Sequence, residues 1–489
     1  MIQVAVIDDG IDREELADGA KLLRDLVVDG ITGEVRARRS EDARLMLHGT
    51  VCAKIIESGT SEAGFISICI FDAMPLQTRI ERLFAALEWC LRERIPVVHM
   101  SVGTQRLSDY GRMQPVIAAM SAAGQVIIAS ESNRGGYTAP AHLGGVIGVS
   151  AEETEYGKEA DAAKRLPYRI YGNVCTAPAR HCLRYRDGAE RETPAANSYA
   201  SPTVTAAVCG ILAAHTGMRK ELAAIYRWLS GGRDYRSMRP DFLRSAAVWN
   251  PDARPLCGEQ FFFRGIPVGE ELFAEEASDK EGTREAVLYI PSVNEETNRR
   301  ALRRLEEKRE RLRMLVYCGV MAGDAAEKFC DILLWQETDC GAARWEERFA
   351  SVWDGPETPV VFIESKESTP VNVLTRLRDC FLKEGYQCAA ASDYPCAYLY
   401  GLEYIPRAVR GEAALQYLAQ MYRPDLILMG VSGENEFLKD TAAKLVCAVP
   451  ETVMLIREEE KERDNTGADA LYQKIQAYFN EPSESEAEG

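Results

Sequence analysis

The chain has 489 residues, 46% apolar and 27% charged, which is too long for one ordinary core and predicts two or three globular domains. Its formal net charge of −17 excludes a nucleic-acid partner, which needs clustered Lys and Arg, and argues against residence on an anionic membrane surface. No apolar run reaches the roughly 18–20 residues that a spanning helix needs.

The start, Met1-Ile2-Gln3-Val4, enters a strand-like run with no basic or apolar signal segment, so no secretory signal is expected. Val4–Ile7 is a buried strand closed by the turn Asp8-Asp9-Gly10. Val51–Ser58 reads as a short helix, Phe65–Phe71 as a strand, Ile80–Arg94 as an amphipathic helix and Val97–Val102 as a strand. A helix over Gln114–Ala123, strands over Val126–Ala129 and Val146–Val149, and an apolar helix over Pro202–Ala214 follow. This alternation predicts a mostly parallel, doubly wound α/β sheet. From 216 to 292 the periodicity weakens into an extension of the first domain, ending in a strand over Val287–Ile290. Glu295–Arg313 carries Glu and Arg at helical spacing and reads as a solvated connecting helix.

A second, smaller α/β unit is expected from 314 to 480. Its strands are Met314–Val320, Val360–Glu364, Leu426–Gly430 and Val453–Ile456, and Val371–Gly385 is a helix. The domain plan is therefore 1–292 (core 1–215), a charged helical linker over 293–313, the unit 314–480, and an acidic tail over 481–489. Glu364–Pro370 offers none of the glycines of a phosphate-cradling loop, so no nucleotide is expected. Neither a C-x-x-C pair nor a calcium-type loop is evident, and no metal or other cofactor is expected. Fourteen cysteines, many in apolar runs such as Cys69, Cys209 and Cys447, suggest reduced core thiols and a cytoplasmic setting.

Four short stretches carry the chemistry. Asp8 ends a buried strand, where a carboxylate can hold an imidazole in one tautomer; the same Asp-Asp-Gly also suits an ordinary turn. His48, one of five histidines, precedes Gly49-Thr50 at a helix start; alone it reads first as a structural residue. Ser132-Asn133 follows the strand Val126–Ala129, and an amide there can donate to an oxyanion or merely make a turn. Ser198, in Asn197-Ser198-Tyr199-Ala200-Ser201-Pro202, precedes an apolar helix whose start favours developing negative charge; Ser201 before Pro202 is the better N-cap.

In this order the four stretches resemble the subtilisin-like serine peptidases, over roughly residues 1–215. The resemblance implies a triad of Asp8, His48 and Ser198, with Asn133 in the oxyanion hole. It also implies a substrate-pairing strand over Ser101-Val102-Gly103 and a specificity-pocket wall from Ser101–Gly103 and Ser130-Glu131-Ser132-Asn133, with Arg134 at its rim. Departures from the family pattern are Asp9 for Ser or Thr, Val51 for the second His, Ser132 for Gly, Ala196-Asn197 for Gly-Thr, and Tyr199 for Met. Only seven residues precede Asp8, so no pro-domain is expected at this end.

The function implied is a cytoplasmic serine endopeptidase with a peptide substrate, such as a ribosomally made precursor whose leader it removes. The alternative is a weakly catalytic, peptide-binding scaffold. The second unit is expected to serve substrate choice or homo-oligomer formation.

Overall fold

Val4–Ile7 are fully buried, and the strand they belong to, β1 (Ile2–Asp8), lies inside a nine-stranded sheet in the computed structural model. The structure describes residues 1–39, 42, 47–72, 78–152, 168–215, 221–232, 242–253, 256, 262–265, 284–321, 323–337, 356–365, 371–394, 396–406, 409–432, 435–457 and 465–480. The acidic tail from 481 lies outside them.

Contacts divide the chain into two units, the first formed mainly by residues 1–246 and the second mainly by residues from 247 onward. In the first, β2 (Leu22–Val28), β3 (Val35–Ala37), β4 (Ala63–Cys69), β5 (Val97–Met100), β6 (Val126–Ser130), β7 (Val146–Ala151), β8 (Arg169–Tyr171) and β9 (Val174–Ala177) join β1. The order is β3-β2-β4-β1-β5-β6-β7-β9-β8. All pairings are parallel except at the two edges, β3 and β8. A separate hairpin joins β10 (Cys182–Arg184) to β11 (Glu190–Glu192).

The helices are α1 (His48–Gly59), α2 (Ile80–Arg92), α3 (Leu107–Ala122), α4 (Asn197–Ala214) and α5 (Leu222–Leu229). Helices α1 and α4 pack on each other and on β1, and α4 also crosses β5, β6, β7 and β9. The C-terminal ends of β1, β5 and β6 thus open beside the N-termini of α1 and α4, where parallel α/β sheets place their reactive groups. Helix α4 starts at Asn197 and not at Pro202, so Ser198 lies inside its first turn.

The second unit begins earlier than the sequence suggests. Strand β12 (Ser245–Trp249) pairs in parallel with β14 (Glu285–Tyr289), and β14 with β15 (Leu312–Tyr317), in the order β13-β12-β14-β15-β16 with β13 (Phe262–Gly265) and β16 (Leu333–Gln336). A boundary near 292 would cut this sheet. Nor is α6 (Glu295–Glu307) a free linker, because it buries Ala301 and Leu305 against Val287, Leu312, Leu315 and Phe329. Its charged residues cover only the outer face.

A parallel sheet follows in the order β19-β18-β20-β17-β21. Its strands are β17 (Val360–Ser365), β18 (Cys388–Ser392), β19 (Glu403–Tyr404), β20 (Leu426–Ser432) and β21 (Val453–Arg457). Its helices are α7 (Val371–Lys383), α8 (Gly411–Tyr422), α9 (Glu436–Ala448) and α10 (Asn465–Asn480). Among the described residues, no helix is long and apolar enough to cross a membrane.

Candidate active site

Strand β1 delivers Asp8 to the sheet's C-terminal edge, 4% exposed. The chain then turns at Gly10, whose φ of +112° is a conformation that side chains rarely adopt. His48 opens α1, and its Nδ1 lies 2.9 Å from Asp8 Oδ2. An ionised carboxylate only accepts, so Nδ1 carries the proton and Nε2 is left as the basic nitrogen. Asp8 Oδ1 accepts from the Asp9 N–H at 2.8 Å, which fixes the carboxylate plane. The residues after His48 are set by the same packing. A Cβ on Gly49 would stand 2.5 Å from the Gly10 carbonyl oxygen and 3.0 Å from Asp8 Cβ. Thr50 Oγ1 accepts from the Asp12 N–H at 2.9 Å and ties α1 to the loop after β1.

Asp9, read from sequence only as a departure, makes more contacts here than the family's hydroxyl could. Its Oδ2 accepts from the N–H groups of Leu47 at 2.9 Å and His48 at 3.0 Å, and its Oδ1 from Gly49 at 2.8 Å. The α1 N-terminus has no side-chain cap of its own, and Asp9 supplies one from another strand. Burial and the neighbouring Asp8 raise the Asp9 pKa, and the three N–H donors pull it back.

Ser198 is the second residue of α4. Its carbonyl would normally accept from the N–H of residue 202, but that residue is Pro202 and has none. Side chains fill the gap: Ser101 Oγ donates to the Ser198 carbonyl at 3.1 Å, Ser201 Oγ at 3.4 Å and Cys52 Sγ at 3.7 Å. Behind Ser101 lies fully buried His99, with Nε2 3.4 Å from Ser101 Oγ and Nδ1 2.9 Å from Thr205 Oγ1. Burial depresses the His99 pKa to about 4, so the ring is neutral at ordinary pH. Ser101 therefore turns its hydroxyl toward the Ser198 carbonyl.

In the first turn of α4, Asn133 Oδ1 accepts from the Asn197 N–H at 2.7 Å. The Ala196 carbonyl accepts from Tyr199 N–H at 2.9 Å and Ala200 N–H at 3.3 Å. The Ser198 N–H is among the donors that a helix's first turn leaves without an intrahelical partner. With Asn133 Oδ1 committed, its Nδ2 is the free end, and two donors are available for an oxyanion. Asn197 bridges two loops: its Oδ1 accepts from Ala151 N–H at 2.8 Å, and its Nδ2 donates to the Ser132 carbonyl at 3.1 Å. It thus staples the Asn133 loop to α4, a role hidden in sequence behind an apparent mismatch.

The other specificity residues are distributed as follows. Val102 is partly buried, and Gly103 lies so close to the chain at Thr138–Ala139 that a Cβ would meet Ala139 O at 2.6 Å. Ser130 is buried at the end of β6. Glu131 faces His142, its Oε1 2.8 Å from Nε2. Ser132 Oγ accepts from the Arg134 N–H at 3.2 Å, and Arg134 is exposed.

The Tyr199 ring lies 5.2 Å from that of His48, tilted by 38°. Burial opposes a charge on His48, but the Cys52 sulfur and the Asp8 carboxylate outweigh it and raise the imidazole's pKa. The Cys52 thiol, raised in turn by burial, stays protonated, so Asp8 is the charge that counts. Asp8, His48 and Cys52 hold donor atoms within 4.8 Å of one another. The Asp8–His48 hydrogen bond uses two of them and the protonated thiol is a poor ligand, so the trio serves the imidazole.

The profile of the subtilase family matches residues 1–227. No curated protein matches the chain. Among solved structures it is similar to the S41 psychrophilic protease (15% identity, TM-score 0.37, covering 48% of this chain and 84% of that one). It is likewise similar to sphericase (14%, 0.36, 48% and 83%). A third is the epidermin leader peptide processing serine protease EpiP from Staphylococcus aureus (14%, 0.33, 43% and 64%). Residues 1–227, somewhat under half of the chain, thus match the subtilase family.

Proposed function

We propose that this chain is a serine endopeptidase in which Ser198 is the nucleophile, His48 the general base and Asp8 the group that orients the base. The observation that carries the reading is the 2.9 Å Asp8–His48 hydrogen bond, which leaves Nε2 basic, in a domain whose α4 presents Ser198 in its first turn. In the proposed reaction, His48 Nε2 takes the Ser198 hydroxyl proton as Oγ attacks the scissile carbonyl. The Ser198 N–H and Asn133 Nδ2 stabilise the oxyanion, and His48 then returns the proton to the leaving amine. Water repeats the cycle on the acyl-enzyme.

Within this reaction the proposed substrate is a peptide, with leader removal from a ribosomally made precursor as the case to assay first. The fully buried thiols Cys52 and Cys209 suit a reducing, cytoplasmic setting. A fluorophosphonate should label the wild-type chain on the peptide that carries Ser198, and should not label Ser198→Ala. A folded wild-type chain that binds peptides without being labelled would favour the scaffold instead.

A further inference from the structure

We infer that Asp9 is a second carboxylate of the catalytic machinery, a positioning residue that holds the backbone of His48 while Asp8 holds its ring. The inference rests on His48 being the general base. Its ground is geometry: one buried side chain accepts three N–H groups, from Leu47, His48 and Gly49, at 2.8–3.0 Å. These are the donors that the start of α1 cannot satisfy within itself. The two adjacent aspartates thus grip His48 at both ends, and Gly49 lets α1 approach closely enough for both to reach.

The Asp9 charge also acts on the ring. It offsets the positive end of α1, and it favours the imidazolium that forms when His48 takes the serine proton. The titratable groups facing this cluster are Asp8 from β1, Cys52 from α1, His99 from β5, Cys69 from β4 and Tyr199 from α4, with Arg38 beside Cys69. Burial raises the pKa of both thiols and lowers that of His99, so these three are neutral near pH 7. Asp8 is the negative charge at the ring, and Asp9 is the one at the backbone where α1 begins. Replacing Asp9 by a neutral residue removes a favourable charge and uncovers the helix terminus, and both changes lower the pKa of His48. Protonation of Asp9, which burial brings to higher pH than for an ordinary carboxyl, works in the same direction.

The test uses the full-length chain and Asp9→Asn, with a peptide substrate shown to require Ser198. For Asp9→Asn, kcat/KM near neutral pH should fall between roughly 10- and 100-fold with KM little changed. The acid limb of the kcat/KM profile should move to lower pH by about half a unit or more. NMR titration of the His48 ring in the Ser198→Ala background should show the same downward shift when Asp9→Asn is added. Should Asp9→Asn fail to fold, Asp9→Ser, which keeps one acceptor, is judged by the same two shifts. A folded variant with lower kcat but an unmoved acid limb and an unmoved His48 titration would overturn the inference, because a merely structural Asp9 predicts that pattern. Failure of the triad reading would look different: the wild type itself would show no Ser198-dependent turnover.

Discussion

Asn133 shows how much one side chain's orientation decides. Its Oδ1 is held by the Asn197 N–H and Asn197 in turn by Ala151 and Ser132, so Nδ2 is turned outward before any substrate arrives. Preorganised donors of this kind contribute to the transition state without reorganisation. Asn133→Ala should lower kcat by roughly 10²–10³-fold with little change in KM, leaving residual turnover; steady-state kinetics decide this, and an unchanged kcat would remove Asn133 from the oxyanion hole. At this scale the sequence showed what short motifs can show. Asp8, His48, Ser198 and Asn133 stand in local patterns from which the proposed chemistry can be read. The roles of Asp9, Asn197, Cys52 and His99 depend on contacts between residues 38 or more apart in the chain, such as His99 with Thr205, and no local pattern encodes them.

Helix α4 is where local rule and tertiary demand collide. Proline favours the first helical turn, which points to a start at Pro202. The helix instead starts at Asn197 and carries Pro202 inside, because the Ser198 carbonyl that loses its helical donor is served by Ser101. The arrangement couples two distant residues, and a double-mutant cycle can read the coupling. Ser101→Ala should cost about 1 kcal/mol, since Ser201 and Cys52 still offer weaker donors. With Pro202→Ala, which restores an N–H in the right place, the same substitution should cost clearly less. Denaturant unfolding of the four variants measures this; equal costs in both backgrounds would mean that the Ser101 bond does not compensate for the proline. The strands were legible where apolar residues run together, as in β1, β6 and β20. Strand β18 was not, because Cys388-Ala389-Ala390-Ala391-Ser392 is small and weakly apolar yet wholly buried between β19 and β20.

Across the whole molecule, the chemistry of the proposed site is contained in the first unit, while roughly the second half of the chain builds two further sheets. The sequence placed the division at a conspicuous charged helix. Contacts place it near 246, because charge on the outer face of α6 conceals the Ala301–Leu305 stripe that seals the β12–β16 sheet. A chain cut at 291 would therefore strip β15 from β14 and expose a parallel edge. A better probe leaves the chain whole and damages one core. Phe362 is fully buried in the middle of β17, and Phe362→Ala should destabilise its unit by about 3–5 kcal/mol. If the units unfold as separate cooperative bodies, calorimetry of the wild type should resolve two transitions. Phe362→Ala should lower only one of them, and fluorophosphonate labelling at Ser198 should persist at temperatures where the second unit has melted. A single transition that moves as a whole, with labelling lost in step, would show that the catalytic domain needs the second unit to stay folded.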